Sequence, residues 1–238
     1  MIIICRGVKV SETGSEPKPR SIASKDDERV LVAPARLFRE LGVFQGFLTD
    51  SVERYDPLFD AQTTRFMRRG DAELDLEHKQ LIPYVLFTYA APGERPLIFA
   101  YLRGKGQGEA RLRSKWSVGI GGHVNDSDSD ASGQTNAFES GARREIAEEV
   151  ALDAEILSFR RVGLVNDDRT DVGKVHLGVV CRAELSAPKM RSNEPDLLDA
   201  RFRPVDEILE EIEEKPDAFE SWTALALRGL FGPRGKNA

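Results

Sequence analysis

Apolar positions along the chain form two kinds of run: short, nearly unbroken ones, and stretches where they recur every three or four residues. Leu81–Tyr89 (LIPYVLFTY) is almost continuous and stops at Ala-Pro-Gly, which predicts a strand; Pro83 near its start marks a strand beginning or an edge. Leu97–Tyr101 pairs with it across the turn Pro92–Pro96. Trp116–Ile120, Ile156–Val165 and Val175–Leu185 read as further strands, the last two separated by the polar turn Asn166–Asp171. Helices are predicted at Ala35–Leu41, stopped by Gly42, and at Pro57–Arg69, opened by Asp56-Pro57 and closed by Gly70. Others are predicted at Asn136–Val150, Val205–Glu214 and Ala218–Phe231, and Val43–Leu48 reads as an aromatic loop or edge.

The pattern contains no internal repeat and divides the chain in three. Residues 1–28 form an arm expected to be flexible, since Ser11–Glu28 is rich in Ser, Pro, Lys and acids. Residues 29–80 form an N-terminal extension of short helical pieces, and residues 81–238 form the main domain. Strands interrupted by single helices imply an α/β fold with a mixed sheet and helices on both faces.

Composition narrows the function. The chain has 238 residues, 31% of them charged, with a net charge of −6, which excludes a globally basic surface for a nucleic-acid polymer or an anionic membrane. No apolar run approaches the ~18 residues of a membrane span, and Met1–Arg6 offers only a short apolar burst, so the expected compartment is the cytoplasm. Cys5 and Cys181 lie too far apart for a zinc knuckle or a disulfide scaffold.

The chemistry concentrates in Asn136–Leu152 (NAFESGARREIAEEVAL). On a helix, Phe138, Ala142, Ile146 and Val150 make a core-facing stripe, and Asn136 with Glu139 fits an N-cap and capping box. Glu145, Glu148 and Glu149 share one sector of about 100° within a single turn. Three like charges so placed repel one another; a divalent cation removes that cost, because hard cations prefer carboxylate oxygens. Arg144 lies one turn before Glu148, within pairing reach.

Gly121-Gly122-His123 followed by Arg144-Glu145-Ile146-Ala147-Glu148-Glu149-Val150-Ala151-Leu152 resembles the Nudix box, G-x5-E-x7-R-E-U-x-E-E-x-G-U with U apolar. The Arg-Glu-U-x-Glu-Glu core is intact. Read back from Arg144, the spacing puts an eight-residue insertion, including Asp126–Asp130, between Gly122 and position 136. It also puts Asn136 where the family has Glu, and Ala151 where it has Gly. Keeping a left-handed helix cap at Ala151 costs about 1 kcal/mol, so the helix runs on or ends in another way. Arg69–Glu73, Lys79–Tyr84, Gly108–Leu112 and Gly119–Asn125 resemble a MutT-related subgroup described as predicted phosphoesterases, over roughly 30–202.

The resemblance implies a Nudix-like α/β/α sandwich and metal-dependent hydrolysis of a diphosphate bond in a nucleoside diphosphate-linked or related phosphorylated small molecule, with Mg²⁺ or Mn²⁺. It makes Glu145, Glu148, Glu149 and the carbonyl of Gly122 the metal ligands, with Glu145, Glu148 and Arg144 catalytic and Arg144 orienting a glutamate. A later acid is often recruited; Asp167, Asp168, Asp171 and Glu194 are candidates, though turn composition explains them equally. A Nudix-fold nucleotide-binding or regulatory module without turnover is the alternative. A prenyl-diphosphate isomerase requires a catalytic cysteine, and Cys181 cannot be placed at the site from sequence. A homodimer is left open.

Arg103, Lys105, Arg111, Arg113 and Lys115 crowd the approach to the Gly-Gly loop, either facing phosphates or forming a solvated strand edge; Arg111, Lys115 and His123 are the substrate-binding candidates. His123 and His176 read first as hydrogen-bonded structural histidines, His123 being the better functional candidate. Asp126-x-Asp128-x-Asp130 fails as an EF-hand at its sixth and twelfth positions, Ala131 and Ala137, and reads as a hydrophilic loop. Gly104–Gly108 opens no helix, and neither a G-K-[ST] phosphate loop nor a nucleophile motif occurs.

Overall fold

A computed structural model describes residues 25–104, 113–129 and 136–232. The arm expected at 1–28 lies outside these residues except for a 3-10 turn at Lys25–Asp27 and Glu28 after it.

The sheet is built on β4 (His78–Tyr89), the segment with the longest apolar run. β10 (His176–Leu185) lies parallel to it, and β9 (Ile156–Asn166) lies antiparallel to β10. The other edge of β4 is shared by β1 (Arg29–Pro34), β7 (Gly119–Ile120) and β5 (Leu97–Arg103), all antiparallel. β3 (Arg65–Arg68) pairs with β1, β2 (Gly46–Leu48) with β9, and both β6 (Trp116–Ser117) and β12 (Leu197–Pro204) with β5. A small second sheet joins β8 (Val150–Leu152) to β11 (Met190–Ser192).

Strand alternation assigns the two faces. From β4, Tyr84 and Leu86 pack with Val180 of β10 beneath α5 (Val205–Glu214) and α6 (Ser221–Phe231), where Ile208, Ile212 and Leu227 complete the cluster. Leu81, Leu177, Val179 and Leu164 face the opposite way, onto α1 (Ala35–Leu41), the 3-10 helix Val52–Phe59 and Phe138 of α3 (Ala137–Glu149). Val85, Phe87, Ile120 and Cys181 continue that face toward Val150. The result is an α/β/α sandwich with a mixed sheet. Among the described residues no helix is long and apolar enough to cross a membrane.

Residues 29–80 differ from a set of helical pieces. α1 forms where predicted, but β1, β2 and β3 from the same segment enter the main sheet. Pro57–Arg69, expected as one helix, is instead the end of the 3-10 helix, a loop, β3 and the start of α2 (Arg69–Ala72). Pro57 sits inside the 3-10 helix, and Arg65–Arg68 gains ladder hydrogen bonds from β1 that an isolated helical turn cannot match. The polar turn before β10 also winds into α4 (Asp171–Val175), capped by Thr170.

Candidate active site

α3 begins where its cap chemistry says it should: the Asn136 side chain accepts a hydrogen bond from the Phe138 N–H at 2.9 Å. Phe138, Ala142 and Val150 are buried and Ile146 packs against the same core. That stripe turns Glu145 and Glu149 toward the Gly121–Gly122 loop and leaves Glu148 half exposed, at 51% of its side chain. The helix ends without a left-handed cap. Val150 is already extended, at φ −140° and ψ 149°, and the chain passes directly into β8, where Ala151 pairs with Arg191. A strand residue has no need of glycine, which is why alanine serves at 151. The Asn193 N–H then donates to the Glu149 carbonyl at 2.8 Å, carrying Glu194 to the end of α3.

The Gly-Gly loop is defined by close approach. Gly121 has φ 148°, and a Cβ there would collide with the Pro83 carbonyl oxygen. A Cβ on Gly122 would lie 2.7 Å from Glu145 Oε2. The Gly121 N–H donates to Glu149 Oε2 at 3.2 Å.

Arg144 is the hub of the site. Its guanidinium donates to Glu145 Oε1 at 2.7 Å, Glu148 Oε2 at 3.1 Å and the His123 carbonyl at 2.9 Å. It also makes a two-pronged pair with Asp128, at 2.7 and 3.0 Å. Asp128 is buried and closes a capping box with Asn125, so the loop expected to be merely hydrophilic holds a structural acid. Counting the box pattern forward from Gly122 puts its first acid at position 128, and counting back from Arg144 puts it at 136. The structure favours the forward count: Asp128 meets Arg144, the arginine of the motif, and the extra residues follow it. The Asn125-x-x-Asp128 spacing was the sequence signal for this. Gly141 is required beneath it, because a Cβ there would lie 2.8 Å from Asp128 Oδ2.

Electrostatics follow from this crowding. Burial pushes the Glu145 carboxyl up against the pull of Arg144, and the charges of Glu148 and Glu28 add to the rise. Glu149 is pushed up to about 8 by burial and by the charges of Glu145 and Glu194, despite the Gly121 hydrogen bond. Hard oxygen donors whose mutual repulsion raises their pKa form a donor set that suits a divalent cation.

The remaining candidates separate. Of the late acids, Glu194 is the one whose charge reaches Glu149. Asp167 is buried against Arg169 and Gln45, Asp168 binds the buried Lys79 at 2.6 Å, and Asp171 pairs with Lys174 on the surface. Arg103 is tied to the buried Glu220 at 2.6 Å, while Lys115, half-buried, directly precedes β6. Arg111 and Lys105 lie outside the described residues. His123 Nε2 meets Gln80 Oε1 at 2.9 Å and His176 Nε2 at 3.3 Å; burial, with Arg69 and His176 nearby, holds its imidazole well below the ordinary range. Cys181 is buried in the core, and burial pushes its thiol up to about 12, far from the thiolate an isomerase would need. Besides Asp128, sequence reasoning missed Glu28, the last residue of the arm, whose charge reaches Glu145.

An α/β/α sandwich that holds an Arg-Glu-x-x-Glu-Glu helix against a Gly-Gly loop defines the class of this protein. No family model matches the chain. It is 36% identical over 165 residues to Protein YmaB of Bacillus subtilis, spanning 68% of this chain and 77% of that one. The solved structure of Tm1382, described as a Nudix hydrolase, matches with a TM-score of 0.63 and 31% identity over 85% of this chain and 98% of Tm1382. A NUDIX hydrolase from Alicyclobacillus acidocaldarius matches at a TM-score of 0.47 and 13% identity, over 63% of this chain and 90% of that one. The chain belongs to the Nudix hydrolase family.

Proposed function

We propose that the protein is a Mg²⁺- or Mn²⁺-dependent hydrolase of a diphosphate bond in a nucleotide derivative or related phosphorylated small molecule. The observation that carries this reading is the convergence of Glu145, Glu148 and Glu149 on one turn of α3, organised by Arg144 beside the Gly122 backbone. Glu145, Glu149, Glu148 and the Gly122 carbonyl would hold the cation. When bound, it neutralises phosphate oxygens and lowers the pKa of the attacking water.

The chain's own groups do the rest. Arg144 holds Glu145 and Glu148 in one orientation, and Asp128 keeps Arg144 itself from turning toward substrate. Held by Arg144 through Oε2 and half exposed to water, Glu148 is the group that takes the nucleophile's proton. Lys115 and Arg111 are the groups assigned to the phosphates; His123, turned onto Gln80 and His176, is not given a substrate contact.

The test is a Mg²⁺/Mn²⁺-dependent assay over nucleoside triphosphates, ADP-ribose, dinucleotides and nucleotide sugars. Cleavage at a diphosphate bond is expected, and Glu148→Gln is expected to lower kcat by about 10² to 10⁴ with an unchanged melting temperature. Metal-independent cleavage, or a fully active Glu148→Gln protein, overturns the assignment. Tight binding of a nucleotide without turnover would make the protein a binding module instead.

A further inference from the structure

Beside the carboxylate helix, on its Gly-Gly side, a second group of metal-type donors converges from three distant segments. Glu73 follows α2, His123 follows Gly122, and His176 opens β10; among the described residues their ligand atoms all lie within 4.8 Å of one another. His176 Nε2 is 3.3 Å from His123 Nε2 and 4.0 Å from Glu73 Oε1. Nitrogen and oxygen donors at about 2.0–2.1 Å in a tetrahedron are separated by about 3.3 Å, so the two imidazoles already stand at a ligand spacing. Glu73 needs to close by about 0.7–1.5 Å to reach that spacing from both rings, a movement a carboxylate side chain can make.

The orientation of the His176 ring is also explained. His176 Nδ1 faces the Val172 carbonyl at 2.7 Å; a carbonyl only accepts, so Nδ1 carries the proton and Nε2 presents a lone pair inward. This backbone hydrogen bond behind the ring is what aims a metal-binding histidine. Gln80 neighbours His176 in the parallel β4–β10 register. Its side chain is buried, its Oε1 accepts from His123 Nε2 at 2.9 Å, and among the described residues its Nε2 has no hydrogen-bond partner. An amide oxygen only accepts, so in the metal-free protein His123 Nε2 carries the proton shared with Gln80; on binding, that proton would leave and the amide oxygen would be free to serve as a fourth, neutral ligand.

We infer that Glu73, His123 and His176, with the Gln80 carbonyl, hold a zinc-type divalent ion at a site separate from the α3 carboxylates. Two imidazoles and one carboxylate select late first-row ions over Mg²⁺, whereas the all-oxygen set on α3 does the reverse. Arg69 Nε lies 3.5 Å from the same Glu73 Oε1, its Nη1 pairs with Glu28 at 3.1 Å, and its charge reaches His123, so an ion would compete with Arg69 for Glu73. The ion would tie the extension, the Gly-Gly loop and β10 together, and through the His123 carbonyl it would steady Arg144.

Cobalt titration of EDTA-treated protein, in excess Mg²⁺, tests this. One equivalent of Co²⁺ is expected to bind with the strong visible bands of four-coordinate cobalt, displaced by Zn²⁺. Glu73→Gln and His176→Asn should each weaken binding at least tenfold, while Glu149→Gln leaves the bands in place. Zn²⁺ should raise the melting temperature of wild type but not of Glu73→Gln, a near-isosteric change that keeps the fold measurable if His176→Asn does not. Absent bands in wild type, bands that survive Glu73→Gln, or bands lost in Glu149→Gln would each overturn the proposal. None of these readouts depends on hydrolase activity, so the two readings fail separately.

Discussion

Glu149 carries the sharpest consequence at the scale of a single residue. With its carboxyl raised from 4.5 to about 8 in the fold, it keeps its proton where the unfolded chain has lost it. Its contribution to stability is therefore complete below about pH 4.5 and drains away as pH rises to about 8. Metal-free protein should lose melting temperature across pH 6–8.5, and Glu149→Gln should flatten that slope; scanning fluorimetry in EDTA reads both. A cation must displace the same proton, so Mg²⁺ affinity should climb over this range, which calorimetry in buffers of different ionisation heat detects as proton release. Asp128 makes a second residue-scale case. Asp128→Asn removes the charge opposite a half-buried guanidinium, and stranding such a charge costs about 3–5 kcal/mol. Because Glu145 and Glu148 still hold Arg144, about 2 kcal/mol is expected in urea denaturation. The freed Arg144 should also lower kcat at saturating substrate.

At the scale of elements, the end of α3 decides how the missing box glycine is to be understood. If the helix ended in a left-handed cap, Ala151→Gly would relieve strain and stabilise the protein. The β8–β11 pairing gives the opposite sign: glycine in a strand loses backbone entropy and packing, so Ala151→Gly should destabilise by about 0.5–1 kcal/mol. Chemical denaturation distinguishes the two without any assay. Here the sequence was half legible. Asn136 capping, the Phe138–Val150 stripe and the acidic turn are local patterns that one helix imposes on its own residues. The strand that follows is not local, because Val150–Leu152 becomes β only by meeting Met190–Ser192 some forty positions later.

The same distinction holds for the whole molecule. β4, β5, β9 and β10 were visible because each is an apolar run long enough to read alone. The strands of 29–80 were not, since Val30–Ala33 is only four residues and Gly46–Leu48 three, and each is a strand only through its partner in the main sheet. Glu73, Gln80, His123 and His176 were illegible as a group for the same reason: the β4–β10 register sets Gln80 beside His176, tertiary packing brings Glu73 and His123 to them, and no spacing along the chain records it. It follows that the extension is part of the core and not an appendage. Leu31, Ala33, Phe38, Val52, Tyr55 and Leu58 make half of the cluster under α3. At about 1.5–3 kcal/mol each, their loss removes on the order of 10 kcal/mol, comparable to the ~5–15 kcal/mol that holds a domain folded. A chain beginning at His78 should therefore show no cooperative thermal transition and should bind a hydrophobic dye at room temperature. A sharp transition near that of the full chain would show instead that the sheet from β4 onward stands alone.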